Sequence, residues 1–135
     1  MVPVMPGDRL RVLVVEDEPL LQWAISETLS SSGPTVSLAA DSASALQALT
    51  ARPFDVVLLD LCLPDSRDLT LLSSIRDRWP ATAAVLMTAD APPDVLDSAR
   101  QLGAHTILHK PFDLQCLLPI LKAAHVDRNQ PPTPH

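Results

Sequence analysis

The sequence has no tyrosine, two tryptophans and two phenylalanines, so aromatics make up only 3% of its 135 residues. Leu, Val and Ala must therefore fill whatever core it builds. Cysteine is equally sparse: Cys62 and Cys116 make no convincing disulfide framework. No apolar stretch approaches the roughly 20 residues of a membrane span. The opening MVPVMPGDRL contains two prolines and no long apolar run, unlike a signal peptide. A reduced, cytoplasmic protein is the economical expectation. Basic residues are scarce too, and the lysines are Lys110 and Lys122 alone. The net charge of −6 and pI near 4.9 argue against nucleic acid or an anionic membrane as the main partner. That charge needs no explanation beyond solubility.

What is present is an ordinary globular balance, 47% hydrophobic and 19% charged, in a chain long enough for one domain with a real core. Short apolar runs alternate with helical patterns, as in a βα repeat around a parallel sheet. Arg11 to Val15 is continuously apolar after its first residue, as expected of a strand covered on both faces. Pro19 suits the first turn of a helix carrying Leu20, Leu21, Ala24, Ile25 and Leu29 at helical spacing, stopped by Ser31 to Pro34. Val36 to Ala40 reads as a second, weaker strand. Asp41 or Ser42 caps a helix that halts near Pro53. Val56 to Leu59 is the strongest strand and ends on Asp60. A helix through Leu71, Leu72 and Ile75 stops at Trp79-Pro80, and Ala84 to Met87 forms a strand ending on Thr88. Pro92-Pro93-Asp94 opens a helix ending at Gly103. Thr106 to Leu108 is a fifth strand, and Asp113 starts a last helix containing Pro119, which is expected to kink it.

Five strands and five helices in strict alternation predict an α/β, flavodoxin-like, doubly wound parallel sheet of order 2-1-3-4-5. The domain is expected over residues 9–125, with a flexible N-terminus over 1–8 and a Pro-rich tail or linker from 126 to 135.

In such a sheet ligands bind beyond the carboxyl ends of the strands. Those ends carry Glu16 and Asp17, then Asp60, Thr88 and Lys110. Taken singly, each has an ordinary reading: acids at strand ends cap helices, and lysines are mostly exposed. Taken together, three carboxylates at one edge repel one another unless a hard cation such as Mg²⁺ joins them. Such an ion also suits phosphoryl transfer. Asp60 is then the candidate nucleophile, forming an acyl phosphate. Lys110 would pair with phosphoryl oxygens as a point charge, and Thr88 would donate a hydrogen bond to one.

The segments VLVVEDEP (13 to 19 with Val12), VVLLDLCLP, LMTAD and KPF, in this order, resemble the response-regulator receiver domain of two-component systems. The resemblance covers roughly residues 9–125. It implies that Asp60 takes a phosphoryl group from a histidine kinase or histidine phosphotransfer protein. It also implies self-catalysed hydrolysis rather than a dedicated metabolic activity, and a switch acting on an unknown downstream protein or output domain. By the same resemblance Asp17 and Asp60 ligate Mg²⁺ directly, Glu16 acts through a water, the backbone carbonyl of Cys62 is a further ligand, and the bond before Pro111 is cis. For the side chains of Cys62 and Asp90 two readings stay open, simple loop packing or tuning of water access to the phosphoryl group.

Three departures bear on output rather than chemistry. Asp68 stands where the family usually has Gly, Ile107 replaces the switch aromatic, and Pro119 falls in the last helix. They keep open an alternative, an interaction module on the same fold that works without phosphorylation. Whether the last two helices support a homodimer is also open. A nucleotide-binding flavodoxin-like site is disfavoured, because the loop Glu16-Asp17-Glu18 would repel the phosphate that a Gly/Ser/Thr-rich loop cradles. Cys116 is expected to be buried or half-buried on its helix. His105 and His109 lack a third ligand and read as structural or surface residues. Trp23 and Trp79 read as core or partly exposed packing residues rather than a binding platform.

Overall fold

The computed structural model describes residues 9–66 and 68–129. The expected flexible start, 1–8, and the last six residues of the expected tail lie outside them. The chain alternates β1 (Arg11–Val15), α1 (Pro19–Ser30), β2 (Thr35–Ala39), α2 (Ser42–Ala51), β3 (Val56–Asp60), α3 (Thr70–Arg78), β4 (Ala83–Thr88), α4 (Pro93–Gln101), β5 (Thr106–His109) and α5 (Leu117–Asn129). All strand pairs are parallel, in the order β2-β1-β3-β4-β5. This is the doubly wound architecture expected from the alternation.

Side-chain alternation along the strands divides the core in two. Leu13, Val15, Val57, Leu59, Ala84 and Leu86 face α2, α3 and α4, through Ala45, Leu49, Leu72, Ile75 and Ala99. Val12, Val14, Val56, Leu58, Val85 and Met87 face α1 and α5, through Ile25, Leu29, Leu117 and Leu121. The central strands β3 and β4 are buried at every position, whereas the edge strands β2 and β5 are only partly covered. This is why β1, β3 and β4 read as unbroken apolar runs and β2 and β5 do not.

Helix starts follow their caps. Glu18 accepts from the backbone N–H groups of Leu20 and Leu21, with Pro19 in the first turn of α1. Asp41 caps α2 in a reciprocal pair with Ser44. Gly33 and Gly103, both with positive φ, end the two turns that follow α1 and α4.

The last helix differs from its expected form. A 3-10 turn, Leu114–Cys116, precedes α5, so Pro119 is the third residue of the helix rather than an interior one. In a first turn the missing proline N–H would have had no intrahelical partner anyway, and no kink is needed. The helix also runs to Asn129, so residue 126, expected to open a tail, lies within it. Cys116 is exposed, not buried as expected, because the 3-10 turn rotates it outward. Trp79 is half-buried against the core and lies under the Arg78 guanidinium at 4.5 Å. Trp23 belongs to neither core cluster and is 61% exposed.

Candidate functional site

The carboxyl ends of β1, β3, β4 and β5 deliver the candidate residues to one edge of the sheet. Asp60 is the last residue of β3 and is 4% exposed, at the end of a strand buried at every position. Glu16 follows β1 and is 1% exposed, while Asp17 beside it is open to solvent. Thr88 closes β4 and is buried. Lys110 follows β5, its backbone N–H donating to the Thr88 carbonyl at 2.7 Å. The Lys110–Pro111 peptide bond is cis.

Glu16, Asp17 and Asp60 each offer a carboxylate oxygen, and these oxygens lie within 4.8 Å of one another. The Lys110 ammonium bridges two of the acids, donating to Glu16 Oε2 at 2.8 Å and to Asp60 Oδ2 at 3.2 Å. Asp60 Oδ1 accepts from the backbone N–H of Cys62 at 3.0 Å, which turns the chain sharply after β3. Cys62 itself is exposed. All five strand-end residues named from the sequence, and Cys62, therefore meet at this edge.

The electrostatics are those of an under-neutralised cluster. Burial pushes the Glu16 carboxyl above its usual range and the charge of Asp60 adds to that, while the hydrogen bonds from Lys110 and from the Glu18 N–H pull it back. Burial lowers the Lys110 value, but its bonds to Glu16 and Asp60 outweigh this and hold the ammonium above its ordinary range. Three hard oxygen donors facing one ammonium suit a small divalent cation, which would supply the missing positive charge. Mg²⁺, with its preference for carboxylate and carbonyl oxygens, fits this donor set.

Several supports were not legible beforehand. Gln22, on the first turns of α1, donates from its side-chain amide to the Glu16 carbonyl at 3.0 Å and holds the loop that carries Glu16 and Asp17. Asp65 reaches back to the N-terminus of α2, accepting from the backbone N–H groups of Ser42 and Ala43 and from the Ser42 hydroxyl. Neither follows a local pattern, because each partner is brought close only by the fold. Asp68 adopts no left-handed backbone, since no described non-glycine residue has positive φ. Its carboxylate, one position before the Leu69 cap, accepts from the N–H of Thr70, the first residue of α3, at 3.0 Å. Ile107 is half-buried against the core face that carries α2 to α4. His105 contacts Thr106 Oγ1 and Asp127 Oδ2, each at 2.7 Å, tying the start of β5 to α5 as a structural residue should.

Beside the acids, Cys62, Asp68, Thr88, Asp90 and Val95 help line a cavity of about 290 Å³. On the other flank, at the start of α1, Leu20 and Trp23 stand 70% and 61% exposed. Among the described residues no helix is long and apolar enough to cross a membrane.

Residues 12–122 match the family described as response regulator receiver domain. The chain is 33% identical over 123 residues to the DNA-binding transcriptional regulator NtrC of Escherichia coli K12, covering 90% of this chain and 26% of that protein. It is 35% identical to the probable transcriptional regulatory protein TcrX of Mycobacterium tuberculosis, covering 87% of this chain and 50% of the relative. It thus spans between a quarter and a half of these relatives' lengths. Among solved structures, the signal receiver domain of an HD domain-containing protein from Pseudomonas fluorescens superposes with a TM-score of 0.83 at 30% identity, over 89% of this chain and 97% of that one.

Proposed function

The chain belongs to the response regulator receiver domain family, and from that premise we propose that it is a phosphoacceptor switch whose acceptor is Asp60. The observation that carries this reading is the convergence of Glu16, Asp17 and Asp60 within 4.8 Å, with Lys110 bridging Glu16 and Asp60.

In the proposed reaction a carboxylate oxygen of Asp60 attacks the phosphorus of a phosphohistidine on a histidine kinase or phosphotransfer protein. The P–N bond breaks, the imidazole leaves with its electron pair and takes a proton, and an acyl phosphate forms on Asp60. Lys110, already 3.2 Å from Asp60 Oδ2, pairs with the incoming phosphoryl oxygens, and the buried Thr88 at the end of β4 donates to one of them. Asp17 and Asp60, the Cys62 carbonyl and, through water, Glu16 would hold Mg²⁺, which neutralises charge on the transferring group. Water returning through the cavity lined by Cys62 and Asp90 hydrolyses the acyl phosphate. The exposed Leu20 and Trp23 form the apolar rim on which the phosphodonor protein docks. Occupancy of Asp60 biases the loops after β3 and β4 and the adjoining α4, and so changes binding to a downstream protein or output domain. These are cytoplasmic events.

The test is adduct formation with a small phosphodonor or with beryllofluoride in the presence of Mg²⁺, followed by fluorine NMR and mass mapping. Labelling at Asp60 that disappears in Asp60→Asn is the expected result. Absence of an adduct, or one that persists in the variant, would leave an interaction module that works without phosphorylation.

A further inference from the structure

Four residues separate Asp60 from Asp65, and the segment between them is tightly held at both ends. The Cys62 N–H donates to Asp60 Oδ1 at 3.0 Å, and the Leu61 N–H to the Met87 carbonyl at 3.0 Å. Leu63 is 1% exposed and pairs with Ser66 through two backbone hydrogen bonds of 3.0 and 3.3 Å, closing a turn with Asp65 near its tip. That tip is exposed, yet its carboxylate is fully engaged. Asp65 Oδ1 accepts from the Ser42 N–H at 2.8 Å, and Oδ2 accepts from the Ser42 hydroxyl at 2.7 Å and the Ala43 N–H at 3.2 Å. The start of α2 already has its own cap in Asp41, which accepts from the Ser44 N–H. Asp65 is therefore a second carboxylate on the same helix terminus, delivered from 23 residues away.

We propose that the segment from Asp60 to Asp65 is a strap that couples occupancy of Asp60 to the first turn of α2. The inference rests on Asp60 being the phosphoacceptor and goes beyond that reading by naming a route to a second surface. Phosphorylation turns the Asp60 carboxylate into an acyl phosphate and moves the negative charge from the carboxyl oxygens to the phosphoryl group, so the charge-assisted hydrogen bond from the Cys62 N–H to Oδ1 weakens at the near end of the strap. Leu63 is packed in the core and paired to Ser66, so the turn shifts as a unit instead of absorbing the change by bending. The far end then alters the three bonds that Asp65 makes to Ser42 and Ala43. A route of this kind does not need an aromatic at position 107, where this chain has Ile.

The experiment uses the full chain, with and without Mg²⁺ and beryllofluoride, and reads amide hydrogen exchange residue by residue. Adduct formation is expected to change exchange at Ser42 and Ala43 by about fivefold. In Asp65→Ala the adduct still forms, and exchange at these two amides becomes the same in both states. Because coupling is reciprocal, Asp65→Ala and Ser42→Ala should shift the beryllofluoride dissociation constant in the same direction, and the double variant should shift it no further than Asp65→Ala does. An adduct that forms with no change at Ser42 and Ala43 overturns the strap and leaves the phosphoacceptor reading standing. Additive effects of the two substitutions also overturn it. No adduct in the unaltered protein overturns both.

Discussion

The Lys110 ammonium stands 2.8 Å from Glu16 Oε2 and so ties the end of β5 to the end of β1 across 94 positions of sequence. Glu16 is 1% exposed, so removing Lys110 leaves a buried carboxylate without its cationic partner. Lys110→Ala should therefore destabilise the fold by about 2 kcal/mol at neutral pH, below the roughly 3–5 kcal/mol of a fully enclosed pair because the lysine keeps some exposure. The deficit should narrow on acidification, since Glu16, already held above the usual carboxyl range, then takes a proton. Urea melts at two pH values measure this, and an unchanged midpoint at both would contradict it.

Removing one of the clustered acids should do the opposite. Asp60→Asn relieves repulsion with Glu16 and Asp17, and without divalent cations it should melt higher than the unaltered chain by about 1 kcal/mol of stability. Added Mg²⁺ should reverse the order. An ion at a hundredfold excess over its dissociation constant stabilises by about 2.7 kcal/mol, and the variant has lost one ligand. Calorimetry with and without Mg²⁺ distinguishes this from a simple packing effect, which Mg²⁺ would not touch.

Trp23 separates docking from chemistry. Its side chain is 61% exposed and outside both core clusters, so Trp23→Ala should change folding stability by less than about 0.5 kcal/mol. Phosphorylation by a small donor should be unaffected, while transfer from a phosphohistidine protein should slow about tenfold, the loss of one aromatic anchor. Equal rates with the protein donor would remove Trp23 from the docking surface.

At the opposite edge, Arg11 and Asp55 form a paired contact, with Arg11 Nη2 3.0 Å from Asp55 Oδ1 and the Arg11 N–H 2.8 Å from Oδ2. Burial alone would raise the Asp55 carboxyl, but the hydrogen bonds and charge of Arg11 outweigh it and hold the group below its ordinary range. A depressed folded-state value means stability that is fully present above the unfolded-state value and lost as pH falls through the folded one. Asp55→Asn should cost about 1 kcal/mol at pH 7, little because Arg11 is open to solvent, and nothing in acid where Asp55 is protonated in both states. Stability profiles that stay parallel down to strong acid would argue against it.

Gly103 has φ of +103°, and a Cβ there would lie 2.8 Å from Arg76 Nε. Arg76 is fixed by a 2.8 Å bond from Nη1 to the Thr82 carbonyl, so it has little room to retreat. Gly103→Ala should cost about 2 kcal/mol, from backbone strain together with displacement of Arg76. Chemical denaturation gives the number, and a cost below half of it would mean the guanidinium moves freely.

The strand ends were legible because they are local. Val56 to Leu59 is a short apolar run rich in β-branched residues, as an enclosed strand should be, and the polar residue that ends it, Asp60, sits at the sheet's edge. The same holds for Thr88 after β4 and Glu16 after β1. Where cover is partial the pattern blurs: β2 begins at Thr35, one residue before its expected start, because an edge strand admits polar residues. Pro119 misled for a related reason, since a proline inside an apolar stretch looks interior until the 3-10 turn before it is seen.

By itself, then, the sequence determined the order of elements, the parallel sheet and which residues would stand at its carboxyl edge, because hydrophobic period and cap residues act over a few positions. Tertiary structure alone decided what those residues touch. Lys110 choosing Glu16 and Asp60, Gln22 holding the Glu16 loop, Asp65 seated on α2 and Trp23 left in the open all depend on packing between segments far apart in the chain. A side chain's contacts across such distances are set by how helices settle on the two faces of the sheet, and no local pattern encodes that.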